Sequence, residues 1–171
     1  MISYSKIKTN DIYENEFIIN REPSSDGEIE GFYDLKFEHS SWRHKYFAFE
    51  CKNLDNSASS INEYVYNRAK EKDKKDGGVY RYMTGKYAKD LNFGGMIGFV
   101  IEGESNSIIG KIIAKIHDTF DNNEIGQLTG KRIIKNSIEN NPNTFDSIHI
   151  RSKEYEIKKE NFTLHHVMMA F

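Results

Sequence analysis

Two short segments carry ionisable groups where apolar ones are expected. Gly31-Phe-Tyr-Asp-Leu-Lys-Phe37 holds Asp34 among apolar and aromatic residues. Lys45-Tyr-Phe-Ala-Phe-Glu-Cys-Lys52 holds Glu50 and Lys52 beside Phe47, Phe49 and Cys51. Both segments read as buried strands, and burying a carboxylate or an ammonium costs several kcal/mol unless it is paired or bound to a metal. Two carboxylates and a lysine brought together define a site for a divalent cation. Carboxylate and carbonyl oxygens hold a hard ion such as Mg2+ or Mn2+. Such an ion polarises a phosphoryl oxygen and activates a water, and a lysine alongside adds positive charge as the transition state develops.

The elements that must position these groups can be read from the spacing. Glu38-His-Ser-Ser-Trp-Arg-His44 is a polar connection of hairpin length, so the two strands pair antiparallel. A turn centred near Trp42 sets Asp34 directly opposite Glu50, about 4.5–5.5 Å apart at Cβ. Lys52, two residues on, shares that face. The other face gathers Tyr33, Leu35, Phe37, Phe47, Phe49 and Cys51 as a core surface. Upstream, Glu16-Phe-Ile-Ile-Asn-Arg-Glu22 reads as a third strand, and Pro23-Ser-Ser-Asp-Gly27 is a turn signal leading back towards Asp34. A turn centred at Ser25 puts Glu16 opposite Asp34 as a third candidate metal ligand. A one-residue slip would send every side chain to the opposite face.

Beyond Lys52, Asn53 to Ser60 is a polar loop rich in helix caps. A helix is expected from Ile61 to about Lys75, ended by Gly77-Gly78, and a second from Val79 to Asp90, broken by Asn92-Phe-Gly-Gly95. Met96 to Glu102 has the pattern of a central strand. Ser105 or Ser107 caps a helix with an apolar stripe of Ile108, Ile109, Ile112, Ile113 and Ile116. Lys131 to Glu139 reads as a short helix, and Phe145–Arg151 and Phe162–Phe171 read as strands. The expected fold class is α/β (α+β): a mixed central sheet that starts with an antiparallel three-stranded meander and is flanked by helices.

A chain of 171 residues suits one domain, 1–171. The net charge of −2 argues against non-specific coating of nucleic acid but leaves room for local basic patches. The single cysteine, Cys51, excludes an internal disulfide framework and suits a reducing cytoplasm. No apolar run approaches the roughly 18 residues of a membrane span, and Met1-Ile-Ser-Tyr-Ser-Lys lacks a signal-peptide core. No membrane association is expected.

The residues Asp34 and Glu50-Cys51-Lys52 closing an apolar strand, followed by a helix and another buried strand, resemble the PD-(D/E)xK phosphodiesterase superfamily, the fold of many restriction endonucleases. The resemblance covers roughly residues 14–118, with 119–171 as a C-terminal elaboration. It implies a restriction endonuclease-like core and an Mg2+-dependent endonuclease in which Asp34, Glu50 and Lys52 are catalytic. Asp34, Glu50 and the backbone carbonyl of Cys51 would be the metal ligands. It further implies a prokaryotic restriction or anti-phage setting, with DNA as the substrate and RNA as the alternative; double-strand cutting calls for two active sites, hence a homodimer, and the short chain suits a subunit of a larger defence complex. Tyr33 stands where the family often has proline, and Glu14 or Glu16 would have to replace a glutamate often supplied by the first core helix.

Other readings stay open beside these. Asp34-Leu-Lys36 is a half-motif in its own right, with Glu16 or Glu22 upstream, and Glu156-Ile-Lys158 also matches. Asp34 and Glu50 could instead form a salt-bridge network with Lys36, Lys52 or Arg43 on a wet sheet face. Arg81, Lys86, Lys89 and Lys36 are candidate nucleic-acid contacts, whereas Lys70 to Lys75 are diluted by acidic neighbours and read as a solvated helix surface. Tyr80, Tyr82 and Tyr87 read as packing. His149, His165 and His166 read as satisfied core or surface histidines, the last two on opposite faces of a strand. The rival function is a catalytically inactive module of nuclease fold that binds nucleic acid or protein.

Overall fold

The structure, a computed structural model, describes residues 5–7, 17–21, 34–39, 42, 45–67, 75–123, 125–138, 141–151 and 161–170. Among them the sheet has the strand order β1-β2-β3-β4-β5-β8-β7-β6. The elements are β1 (Ser5–Ile7), β2 (Phe17–Arg21), β3 (Leu35–His39), β4 (Tyr46–Leu54), α1 (Ala58–Val65), α2 (Gly78–Met83), β5 (Phe93–Val100), α3 (Ser105–Phe120), β6 (Gln127–Lys135), β7 (Thr144–Ile150) and β8 (Asn161–Ala170). β1 to β4 pair antiparallel, β4, β5 and β8 run parallel, and β6, β7 and β8 pair antiparallel. The mixed α/β architecture that opens on a meander is the one expected, but the meander has four strands, not three, because β1 precedes the predicted ones. Residues 161–170, from the C-terminal third, lie in the middle of the sheet between β5 and β7.

The β3–β4 hairpin has the expected register, with Leu35 across from Phe49 and Phe37 across from Phe47. Continued by one residue, this sets Asp34 across from Glu50, and the Asp34 N–H donates to the Phe49 carbonyl at 3.2 Å. The β2–β3 register departs from expectation. Arg21 pairs with Leu35 and Phe17 with His39, so the loop centres midway between 17 and 39 instead of at Ser25. Glu16 lies outside the described residues. Its neighbour Phe17 meets the end of β3 remote from Asp34, which removes the basis for Glu16 as a third metal ligand.

The faces are also reversed. Tyr46, Ala48, Glu50 and Leu54 of β4 are buried, and α1 and α2 pack over that face. Leu35, Phe37, Phe47, Phe49 and Cys51, expected as core, are only half-buried. Alternation separates the two sets correctly, but a run with apolar residues on both faces does not reveal which face the helices cover.

α1 forms where Ser57 supplies its N-cap: the Ser60 N–H donates to Ser57 Oγ at 3.2 Å. Asp55 Oδ1 in turn accepts from the Ser57 N–H at 2.8 Å and the Ser60 hydroxyl at 2.7 Å. The hydrogen bonds from Ser57 and then Ser60 pull the Asp55 carboxyl down to about 2. Ile61, Tyr64 and Val65, at i, i+3 and i+4, are its buried stripe. Ser57→Ala is expected to cost about 1 kcal/mol, seen as a lower urea midpoint at unchanged m-value.

The helix expected over 61–75 therefore starts at Ala58 and ends at Val65, and residues 68–74 lie outside the described set. The helix expected over 79–90 stops at Met83, because Gly85 (φ +71°) and Ala88 (φ +51°) turn the chain. Asn92-Phe-Gly-Gly95 leads into β5 instead of breaking the chain. A side chain at Gly95 would sit 2.3 Å from the Phe49 ring, so that glycine lets an aromatic residue lie flat on the central strand. Of the helix expected over 131–139, residues 131–135 are instead the end of β6, whose Ile133 packs on the core while Arg132 and Ile134 are exposed; residue 139 lies outside the described residues. That period of two was masked by an irregularity between Leu128 and Ile133, and by Gly130 at φ +56°.

A chain of polar groups crosses the buried helix-side core. The Gly126 carbonyl can only accept, so His149 Nδ1 donates to it, at 2.7 Å. His149 Nε2 must then accept from the Ser147 hydroxyl at 2.8 Å. Ser147 Oγ accepts from His166 Nε2 at 2.9 Å, leaving His166 Nδ1 to accept from the Tyr64 hydroxyl at 2.9 Å. All four side chains are buried, and His166 stacks on Phe145 with ring centroids 4.1 Å apart. One carbonyl thus sets the direction of every proton in the chain. Burial drives the His149 imidazole down to about 4 and His166 well below its usual range, so both are neutral. His165, pointing the opposite way, pairs with Asp146 at 2.9 Å; the two histidines lie on opposite faces, as their adjacency requires.

Candidate active site

β4 delivers Glu50 under α2, where it is 1% exposed. Its Oε1 accepts from Lys52 Nζ at 2.6 Å and from Arg81 Nη1 at 2.7 Å. Arg81, on α2, turns its Nε and Nη2 to the two oxygens of Asp76 at 3.1 and 3.3 Å. Lys86 Nζ also reaches Asp76 at 3.1 Å, and Arg81 Nη1 donates to the Tyr87 hydroxyl at 2.9 Å. The result is an alternating series, Lys52, Glu50, Arg81, Asp76 and Lys86. Burial opposes charge on Arg81, but Glu50 and then Asp76 outweigh it and hold the guanidinium firmly protonated. Burial likewise pushes the Asp76 carboxyl up, and the bonds and charges of Arg81 and Lys86 together bring it below its ordinary value. Tyr87 is raised by burial and by the Glu50 charge, so its hydroxyl keeps its proton.

Asp34 joins from the other side of the hairpin. Its Oδ2 accepts the backbone N–H of Cys51 at 2.5 Å, which ties the start of β3 to the middle of the Glu50-Cys51-Lys52 triplet. Asp34, Cys51, Lys52, Asn53, Glu63 and Phe99 line a cavity of 510 Å3. Glu50 lies behind it, joined through Lys52. Burial, then Asp34 and Glu50, push the Cys51 thiol up to about 12 despite Lys52; it is a thiol at neutral pH and a poor nucleophile.

The structure thus brings together Asp34, Cys51 and Lys52 at one cavity, with Glu50 bound to Lys52 and Arg81 bound to Glu50. Lys86 joins the same network through Asp76. Lys36 lies apart, pairing with Glu38 at 3.3 Å and sitting 4.3 Å from the centre of the Tyr46 ring. Lys89 is half-buried after the turn that follows α2. Glu14, Glu16, Glu22, Tyr33, Arg43, Arg68, Lys70, Lys72, Lys74 and the Glu156-Ile-Lys158 motif lie outside the described residues. Three contributors escaped the sequence reading. Asp76 looked like one acid diluting a charge run, Tyr87 looked like packing, and Glu63 is a helix position whose direction depends on where α1 lands.

The carboxylate and carbonyl oxygens at this place suit a hard cation, and the Cys51 thiol beside them keeps its proton. Among the described residues, no three His, Cys, Asp or Glu side chains group to hold a metal ion. Mg2+ commonly takes only one or two carboxylates and keeps several waters, so Asp34 with Glu50 is a chemically adequate set. Glu50, however, already faces two cations, and a metal there would displace one of them.

No described helix is long and apolar enough to cross a membrane. In comparison with known proteins, the chain matches no family model, no curated protein and no solved structure.

Proposed function

We propose that this chain is a metal-dependent nuclease that hydrolyses phosphodiester bonds, in DNA with RNA as the alternative substrate, with Asp34, Glu50 and Lys52 as its catalytic residues. The observation that carries the reading is the junction of Asp34 with the Glu50-Cys51-Lys52 triplet, the Asp34 carboxylate on the Cys51 N–H and the Lys52 ammonium at the same cavity. Asp34, Glu50 and the Cys51 carbonyl would hold Mg2+ or Mn2+, which supplies charge neutralisation at the phosphoryl group and an activated water. Lys52, held by Glu50 and lining the cavity, would offset charge growing on the phosphoryl oxygens. Arg81 restrains Glu50, and Lys86 and Lys89, which follow α2 in the chain, would meet a phosphate backbone. The setting, a restriction or anti-phage system, follows from the PD-(D/E)xK resemblance; the single Cys51 suits a cytoplasmic location, and double-strand cutting calls for a homodimer or a larger complex.

Lys52→Ala is expected to reduce nicking of supercoiled plasmid in Mg2+ or Mn2+ by about 100-fold or more, while calorimetry still registers metal binding. Undiminished cleavage by Glu50→Ala would remove the site assignment.

A second reading is favoured by one observation: Glu50 is already matched by Lys52 and Arg81 without any metal. In that case the chain is a catalytically inactive module of a larger assembly that binds nucleic acid or protein. Calorimetric silence towards both Mg2+ and Mn2+, with no plasmid nicking, decides for it.

A further inference from the structure

We propose a second site on the sheet face away from Glu50, one that takes an unpaired nucleobase together with its phosphate. This goes beyond the nuclease reading and does not depend on cleavage. A cavity of 510 Å3 opens there, lined by Trp42, Lys45, Phe47, Asn92, Phe93 and His165. The rings come from β4, β5, β8 and the β3–β4 connection, so the sheet itself spaces them.

Phe47 lies 5.1 Å from Phe93 at 29°, 5.7 Å from His165 at 34° and 4.8 Å from Phe49 at 33°, centroid to centroid. Phe47 thus stacks on Phe93 and leans towards His165, and these rings with Trp42 line the cavity as an aromatic wall on which a planar ligand can stack. His165 is anchored through Nδ1 to Asp146 at 2.9 Å, which holds its ring in this wall. Lys45 and Asn92 are exposed at the rim. Asn92 offers a carboxamide with both donor and acceptor, and Lys45 offers a positive charge.

Each component selects against simpler ligands. An apolar ligand would gain nothing from the carboxamide and ammonium. A bare phosphate would gain nothing from the rings. A heteroaromatic ring with a hydrogen-bonding edge and an attached anion uses all of them, and a nucleotide is that ligand. The free nucleotide and the unpaired base of a single strand share this chemistry.

Trp42 is the only tryptophan in the chain, so its fluorescence reports directly on this cavity. The titration is run in EDTA, which separates it from catalysis: its failure leaves the nuclease reading standing, and loss of that reading leaves this site standing. AMP, dTMP and a short oligo(dT) are each expected to change Trp42 emission saturably, whereas ribose 5-phosphate and inorganic phosphate are not. A single strand as the source predicts oligo(dT) binding well ahead of dTMP; a free nucleotide predicts mononucleotides at least as tight, and both outcomes support the site. Phe93→Leu is expected to weaken binding on the order of tenfold. Lys45→Glu is expected to weaken it similarly and to lower the salt dependence by about one charge. Lys45 and Asn92 are exposed, so Lys45→Glu and Asn92→Ala serve if Phe93→Leu does not fold. No response to any base-bearing ligand overturns the proposal, as does an equal response to ribose 5-phosphate or a response unchanged in both rim variants.

Discussion

Glu50→Ala is expected to destabilise the fold by about 3–5 kcal/mol, the cost of breaking a buried ion pair from one side. The carboxylate is buried and receives both Lys52 and Arg81 on one oxygen. Its removal strands two cations that are themselves only 19% and 16% exposed at the side chain. Arg81 keeps Asp76 as a partner and Lys52 can turn to the cavity, so the loss should fall in the lower half of that range. Urea unfolding at neutral pH measures it. Glu50→Gln, which keeps shape and an acceptor but loses the charge, should cost less than the alanine variant. If Glu50→Ala unfolds within about 1 kcal/mol of the parent, the network is a loose surface pair and the account of a packed, charged site fails.

The histidine chain makes an independent prediction about acid. His149 has a folded value of about 4 against an ordinary 6.5. Between those values the unfolded chain binds a proton that the folded chain refuses, so stability is complete above about pH 6.5 and declines as pH falls towards 4. The difference of 2.5 pK units corresponds to about 3 kcal/mol lost by pH 4. His166, shifted in the same direction by burial first and by the nearby histidines second, steepens the decline. Ser147→Ala tests the connection itself, because it orphans the His149 acceptor and the His166 donor at once. Each unmet buried group costs about 1–3 kcal/mol. Denaturant midpoints at pH 7, 5.5 and 4 would show the slope, and a flat profile over that interval would contradict neutral, buried imidazoles.

The hairpin that carries the candidate site was legible because its information is local. A polar connection of hairpin length between two alternating runs leaves few registers, and the pairing of Leu35 with Phe49 is the one implied by a turn at Trp42. The β2–β3 loop is longer, and its turn signal at Pro23–Gly27 did not mark its midpoint, so Glu16 was aligned with the wrong end of β3. Which sheet face the helices would cover was not legible at all. Phe47 and Phe49 are more apolar than Ala48 and Glu50, yet α1 and α2 settle on the latter pair, where Tyr82 fills the space and donates its hydroxyl to the Ala48 and Gly95 carbonyls. Hydrophobicity ranks residues singly, whereas the choice of face depends on which surface complements the helices. Asp76 and Tyr87 were missed for a related reason: Tyr87 enters the site through a turn whose path is set by Gly85 and Ala88, and Asp76 from the stretch just ahead of α2.

The position of β8 has a consequence for synthesis. It joins β5 to β7, yet it is translated after every strand it unites. Until residues 161–170 emerge from the ribosome, β5 presents an unsatisfied rim of amide and carbonyl groups, and β6 with β7 forms a separate ribbon. Open rims of this kind recruit neighbouring polypeptides, so nascent chains stalled before residue 161 should be the aggregation-prone species and the ones that chaperones must shield.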